Sequence, residues 1–422
     1  MDQVRANTVA RSGGPVGASR PSPRSRITWA VAPTVTVVLL AGILALLWLD
    51  TRPLDVNDGF GYDGLEYARL ALSLRSGTPM EIDSPQVYRI VAPAIVALSG
   101  LEVRQGFFVL NVGADLGSGL LLLVLLKRYG ARPGAAVLAI VWWGVLPFAL
   151  RKELHTPVLV DAVSFFLLTA LLLAATARQH LLFAVLLTVG VLTRESLLLI
   201  APFLVLRAVP LGWRVTATAA AAMIPALLAL TVIHVAPPAP PRPGSLDTAE
   251  YLAFHTYLIA ANIDGDALRA LLGPLFGLGG LLSVALGRLR ALRQLLSTDP
   301  GWLYLLFAIS TAATIGGLDH DRHILELAPV LLLVGFAGTA RWSVPLLAVP
   351  LTALHLVATR SLVPLSAGEA AHRSVSLSTM PGGDLLAAAA WPFVAAVAIA
   401  LVTQRFDRRG PAPIAVAAGS SS

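Results

Sequence analysis

Cysteine is missing from the whole of this 422-residue chain. Disulfides and thiolate metal sites are therefore excluded, and the redox compartment stays open. Charge is almost as scarce: Asp, Glu, Lys and Arg make up 13% of the residues against 56% hydrophobic, and mean hydropathy is +0.76. That balance excludes an ordinary soluble enzyme and, at this length, predicts a polytopic membrane protein. Also lacking is the ~10-residue alternation of an outer-membrane barrel. The apolar runs reach ~20 residues and are broken by Gly or Pro, so helices are expected to cross the bilayer. The net charge of +7 and pI near 10.2 would suit nucleic acid. Basic residues nevertheless fall in short clusters between apolar runs, as topology signals do, and no nucleic-acid partner is expected.

What is present divides simply. Residues 1–26 are rich in Gly, Pro, Ser and Arg and read as a disordered cytoplasmic tail. The run 27–49 lacks a small-x-small cleavage site before Asp50 and reads as a retained anchor. Further crossings are expected over 106–126, 134–150, 158–177, 215–235, 267–286, 302–315, 324–340, 344–358 and 385–403. The pieces 181–193 and 196–206, separated by Arg194-Glu195, are either two short spans or one interrupted helix. The fold class is thus all-α, a transmembrane bundle of about 12 spans over residues 27–403, with 404–422 as a second tail and both termini cytoplasmic.

Alternating sides collects the unusual polar residues on one face. The first outer loop, 50–105, carries Asp50, Asp55, Asp58, Asp63 and Glu66 directly behind the anchor. From Asp63 the spacing turns helical, with Leu65, Ala68 and Leu72 on one face and Glu66, Arg69 and Ser73 on another, which predicts a helix along the membrane surface. A second surface or half-inserted helix is expected after Tyr88-Arg89-Ile90, ending at Ser99-Gly100. Arg89, the outer loop Arg151-Lys152-Glu153-Leu154-His155, Arg194-Glu195 and Asp319-His320-Asp321-Arg322-His323 come out on the same side. The Pro-rich segment 236–245 and the segment 360–384 are also outer and long enough to cover this face, with no further role readable in them.

Asp63 suits two chemistries: a carboxylate that accepts the proton of an attacking hydroxyl, or an oxygen ligand to a divalent metal ion. It also suits a variant capping box with Glu66, a compatible structural reading. Asp55 and Asp58 read as solvated loop residues. Arg89, Arg151, Lys152, Arg194 and Arg322, with His155, His320 and His323, form a cationic set, and Arg is suited to a bidentate grip on phosphate. Taken singly, each is equally a headgroup anchor or half of a charge pair, as Arg151-Lys152 is beside Glu153. His320-x-x-His323 has metal-ligand spacing without further matching ligands. Within spans, Asn111 and Asp115 lie one turn apart and Asp161 sits near an outer end; polar groups there are costly unless paired or functional. Asn111 reads as a helix–helix hydrogen bond, and Asp161 as able to reach the outer pocket.

One long span, then Tyr62-Asp63-Gly64-Leu65-Glu66-Tyr67-Ala68-Arg69-Leu70-Ala71, then Tyr88-Arg89-Ile90 with Pro93, resembles the type C glycosyltransferase (GT-C) superfamily of integral membrane enzymes. Asp161 opening a span, Leu192-Thr193-Arg194-Glu195-Ser196, and Asp319-x-x-Arg322 ahead of Ile324 and Pro329 add to the likeness. The resemblance implies a bacterial inner-membrane enzyme that transfers sugar from a polyprenyl-phosphate or -diphosphate donor to an extracytoplasmic glycan, lipid or protein acceptor. Carried over by position, Asp63 is the base or metal ligand with Glu66 supporting it. Arg89, Arg194 and Arg322 are phosphate ligands, with Asp161, Glu195 and Asp319 beside them at the substrate. Gly64 stands where a second acid would make a pair, which leaves the divalent metal open. The alternative from another class is a transporter or flippase of lipid-linked glycans, using the same basic face without bond breakage. Internal repeats, which would favour it, are not evident.

Overall fold

A computed structural model describes residues 23–51, 54, 56–146, 149–245, 288–315 and 325–337, with isolated positions at 250, 278, 281–282, 284–286, 394 and 398. Among these residues the fold is all-helical, without a β-strand. Its helices are α1 (Pro23–Asp50), α2 (Tyr62–Ser76), α3 (Val91–Ser99), α4 (Val103–Arg128), α5 (Pro133–Gly144), α6 (Leu150–His155), α7 (Asp161–Thr176), α8 (His180–Val191), α9 (Ala201–Ala208), α10 (Trp213–Ala221), α11 (Ile224–Val235), α12 (Leu289–Thr298), α13 (Pro300–Ile315) and α14 (Ala328–Phe336). Three stretches are long and apolar enough to cross a membrane: Thr28–Leu49, Val103–Arg128 and Trp213–Val235. α5 and α8 have 12 residues each and α7 has 16. At ~1.5 Å per residue they reach about 18 to 24 Å, short of the ~30 Å hydrocarbon layer. The expected spans at 344–358 and 385–403, and most of 267–286, lie outside the described residues.

α4 and α7 form the frame. They run in the same direction, because the Asn111 amide donates to the carbonyls of Pro157 (2.8 Å) and Leu159 (3.0 Å) at one end while Arg128 donates to the Thr176 carbonyl (2.7 Å) at the other. α4 opens on a side-chain cap, with the Glu102 carboxylate accepting from the N–H groups of Arg104 and Gln105, both at 3.0 Å. α1 crosses α4 at Gly119, where a β-carbon would collide with Leu40, so a small residue sets the approach. α1 buries Ala32, Leu40 and Leu44 and leaves Val38, Leu46 and Leu49 exposed, the one-sided burial of a helix whose other face meets lipid.

The interrupted stretch resolves as two segments. After α8 the chain turns at 192–194, and a 3₁₀ helix, Glu195–Ile200, brings Leu197 back onto Gly190 before α9 begins.

Two expectations are corrected. Arg151 to His155, expected as a loop, is helix α6, in which Arg151, Glu153 and His155 are all buried. α2 does not turn the face of Glu66 and Ser73 outward as its spacing predicts: Tyr67, Ala68 and Ala71 are buried, and so are Glu66, Leu70 and Ser73, while Leu72 is exposed. The cause is the Pro-rich segment after α11, which covers the side that was to face water. Its backbone pairs with residue 82, the N–H of Ile82 donating to the Pro240 carbonyl (3.1 Å) and that of Arg242 to the Ile82 carbonyl (2.9 Å). The Arg242 guanidinium then donates to Asp83 Oδ2 (2.9 Å) and Glu66 Oε1 (3.0 Å). Burial and the nearby Glu66 raise the pKa of Asp83, against the opposing pull of Arg242 and Arg69. Leu70, Ile82, Val87, Tyr88, Ile233 and Ala239 close a small apolar cluster beneath this strap.

On its other side α2 is held against the segment leading into α7. A β-carbon at Gly64 would stand 2.6 Å from the Val158 carbonyl oxygen. Gly64→Ala must push α2 off this backbone, and overpacking of this kind costs ~1–3 kcal/mol. Thermal unfolding of the purified variant is expected to show that loss, whereas Gly77→Ala, in open space at a left-handed position, alters only its own turn.

Candidate functional site

The turn ahead of α2 determines where Asp63 stands. Asn57 and Asp58 take left-handed backbone (φ 54° and 56°), which short polar side chains tolerate, and the Asn57 amide donates to the Gly61 carbonyl at 2.8 Å. α2 then starts at Tyr62 with Gly61 as N-cap and no side-chain cap bond. The capping-box expectation is overturned: Asp63 lies inside the first turn, where its charge complements the positive end of the helix, and its side chain is half-buried. Asp58 is exposed on the turn, as expected, and Asp55 lies outside the described residues.

One turn further along α2, the fully buried Tyr67 accepts a hydrogen bond from Arg89 Nη1 at 2.9 Å. Arg89 follows a 3₁₀ turn, Gln86–Tyr88, fixed by the stacking of Tyr88 on His234 of α11 with ring centroids 4.0 Å apart. From there Arg89 Nε reaches Glu195 Oε2 at 3.0 Å. Burial would lower the Arg89 pKa, but Glu195 and Tyr67, with Asp63 beyond them, together hold it well above the ordinary arginine value. Arg194, extended at the turn after α8, sends Nη1 to Asp161 Oδ1 at the start of α7 (2.7 Å). Glu195 Oε1 and Ser196 Oγ are buried without a hydrogen-bond partner among the described residues.

The structure thus brings together Asp63, Arg89, Asp161, Arg194 and Glu195, with Tyr67 as the added link. Glu66 points elsewhere. Its carboxylate accepts from Arg69 (2.7 Å), Arg242 (3.0 Å) and the Asp83 N–H (3.1 Å), which makes it the anchor of the strap. Arg104 packs over Gly59 beside the turn. Asp115 is buried in α4, and its Oδ2 has no hydrogen-bond partner among the described residues. Asp319, His320, Arg322 and His323 lie outside those residues.

Sequence reasoning gave Tyr67 no role, although its place four residues after Asp63 puts it on the same helix face. Arg242, Asp83 and His234 carry no local signal, since each acts through a partner distant in the chain. No family model matches this chain, and neither a curated protein nor a solved structure is significantly similar to it.

Arg89 and Glu195 are 14% and 17% exposed, so removing one leaves the other uncompensated in an apolar setting. Arg89→Ala is expected to cost ~3–5 kcal/mol. The double variant Arg89→Met, Glu195→Leu should regain most of that loss. Chemical denaturation in mild detergent reads both, and equal instability of the single and double variants would refute the uncompensated charge as the source of the loss.

Proposed function

We propose that this chain is a multi-pass plasma-membrane glycosyltransferase of the type C kind, with about 12 crossings and its site on the extracytoplasmic side. It moves a sugar from a polyprenyl-phosphate-linked donor to an acceptor hydroxyl. The observation that supports this reading best is the convergence of Asp63 with two arginine–carboxylate pairs, Arg89–Glu195 and Arg194–Asp161, from segments far apart in sequence.

In the proposed reaction the acceptor oxygen attacks the anomeric carbon while Asp63 takes the hydroxyl proton. The bond from that carbon to the phosphate oxygen breaks, and its electron pair leaves with the polyprenyl phosphate. The leaving group gains negative charge, so donors aimed at it are the main electrostatic requirement. Arg89 uses Nε and Nη1 on Glu195 and Tyr67, leaving its Nη2 edge for a phosphate oxygen. Arg194 uses Nη1 on Asp161 and keeps its other donors. Asp63, Asp161 and Glu195 outnumber these two guanidinium groups, so a phosphate requires a further cation, a role we give to Arg322.

A divalent metal does not fit the described donor set. Asp161 is engaged by Arg194, Asp63 stands in the field of Arg89, and no three acidic or histidine side chains converge among the described residues. The reaction is therefore written without one.

Asp63 is not the N-cap of α2, and Asn conserves its size, so Asp63→Asn should fold and bind donor normally while transfer falls ~10²-fold or more. Arg322→Ala should weaken donor binding, with only partial recovery in Arg322→Lys. Wild-type transfer by purified Asp63→Asn would refute the base assignment. Movement of lipid-linked sugar across vesicles by wild-type protein that never transfers it would replace the enzyme with a flippase.

A further inference from the structure

The far end of α7, about 24 Å from Asp161 at ~1.5 Å per residue, holds a cleft that the proposed reaction does not use. The helix ends there in a Schellman turn, with the Arg178 N–H donating to the Ala175 carbonyl (3.1 Å) and the Gln179 N–H to that of Ala174 (2.9 Å). The residue after the cap in such a turn adopts left-handed backbone and is usually glycine. Here it is Arg178, at φ 58°. A long cationic side chain is kept where the backbone disfavours any side chain, and such local strain points to a use for the group. Its guanidinium makes no hydrogen bond or ion pair among the described residues.

Behind Arg178 opens a cavity of about 180 Å³ between the ends of α7 and α9 and the starts of α8 and α13, lined by His180, Leu204, Arg207, Leu211 and Asp299 among others. Charge here does not balance. Arg207 is ion-paired with Asp299, donates to the Tyr129 hydroxyl (3.4 Å) and also lies in the fields of Arg128 and Arg178, while Asp299 is the one acid among the lining residues. His180 adds a further ring nitrogen without a hydrogen bond among the described residues. Next to lining residues in the chain the surface is apolar, Leu181, which follows His180, being 82% exposed and Trp213, between Leu211 and Val215, 75%.

We propose that this cleft binds the phosphate of an anionic glycerophospholipid, with Arg178 and Arg207 on the phosphate oxygens and the acyl chains over Leu181 and Trp213. The fork geometry of arginine suits the oxyanion, and the apolar rim suits a ligand that carries its own tail. A tailless phosphate would gain only the first of these.

The test uses full-length protein, delipidated in an uncharged detergent, with bound lipid counted by native mass spectrometry and stability followed by thermal unfolding. The probes are phosphatidylglycerol, diacylglycerol with the same chains, and inorganic phosphate. Phosphatidylglycerol is expected to bind saturably and raise the midpoint, whereas diacylglycerol does neither. Arg178→Gly removes the guanidinium while easing the left-handed turn, so the lipid-free variant should be at least as stable as wild type. Its affinity for phosphatidylglycerol should fall about tenfold or more, as for loss of a charged hydrogen bond. Arg290→Ala, on the exposed side of α12, should bind as wild type. Wild-type lipid affinity in Arg178→Gly, or equal binding of diacylglycerol, would refute the site. Inorganic phosphate binding as tightly as the lipid would refute the lipid assignment.

Discussion

Charge inside an apolar bundle must be met by opposite charge, and in this protein that requirement fixes where distant segments sit. Arg89 has Glu195 on one side and the Tyr67 hydroxyl on the other, so α2, the turn that carries Arg89 and the turn after α8 have one relative position that satisfies all three groups. Arg194, next in the chain to Glu195, makes the same demand of α7 through Asp161. A two-residue polar interruption in an apolar stretch therefore ties α2 to α7 by way of the turn that follows α8.

Packing supports what charge specifies. Gly64 lets α2 lie against the Val158 carbonyl, close to the start of α7, and the stack of Tyr88 on His234 holds the turn from which Arg89 projects. The parallel pair α4 and α7, pinned by Asn111 at one end and Arg128 at the other, gives these contacts a rigid base. At the opposite end the Tyr129 hydroxyl accepts from Trp302 (3.0 Å), and Trp302 packs edge-on to Phe203, which closes the bundle around α9 and α13. The two ends share the helices but not their chemistry: acids and arginines pair at one, while cations exceed acids at the other.

Helical class and membrane character were legible because composition and run length depend on no long-range contact. Asp63, Arg89, Asp161, Arg194 and Glu195 were legible for a related reason: charged residues between apolar runs are costly, and alternation of sides predicts which of them share a face. The environment of α2 was not. Its spacing predicted Glu66 toward water, but burial of that face is decided by residues 236–245, whose Pro-rich sequence shows no periodicity that would reveal what it covers. The length of the crossings was also hidden. Hydropathy continues through 145–146, where the backbone turns, so this apolar run overstates the helix within it.

The strap has a consequence in time. Glu66 finds Arg242 only 176 residues later in the chain. At ~5–20 residues per second of synthesis, the acid is made on the order of 10 to 35 seconds before its partner. Over that interval α2 has no cover on its Glu66 face and Tyr88 has no ring to stack on, since His234 also arrives late. The segment that carries α2 and Tyr88 is thus translated early and completed late, and its final form is a record that the end of α11 has been delivered to it.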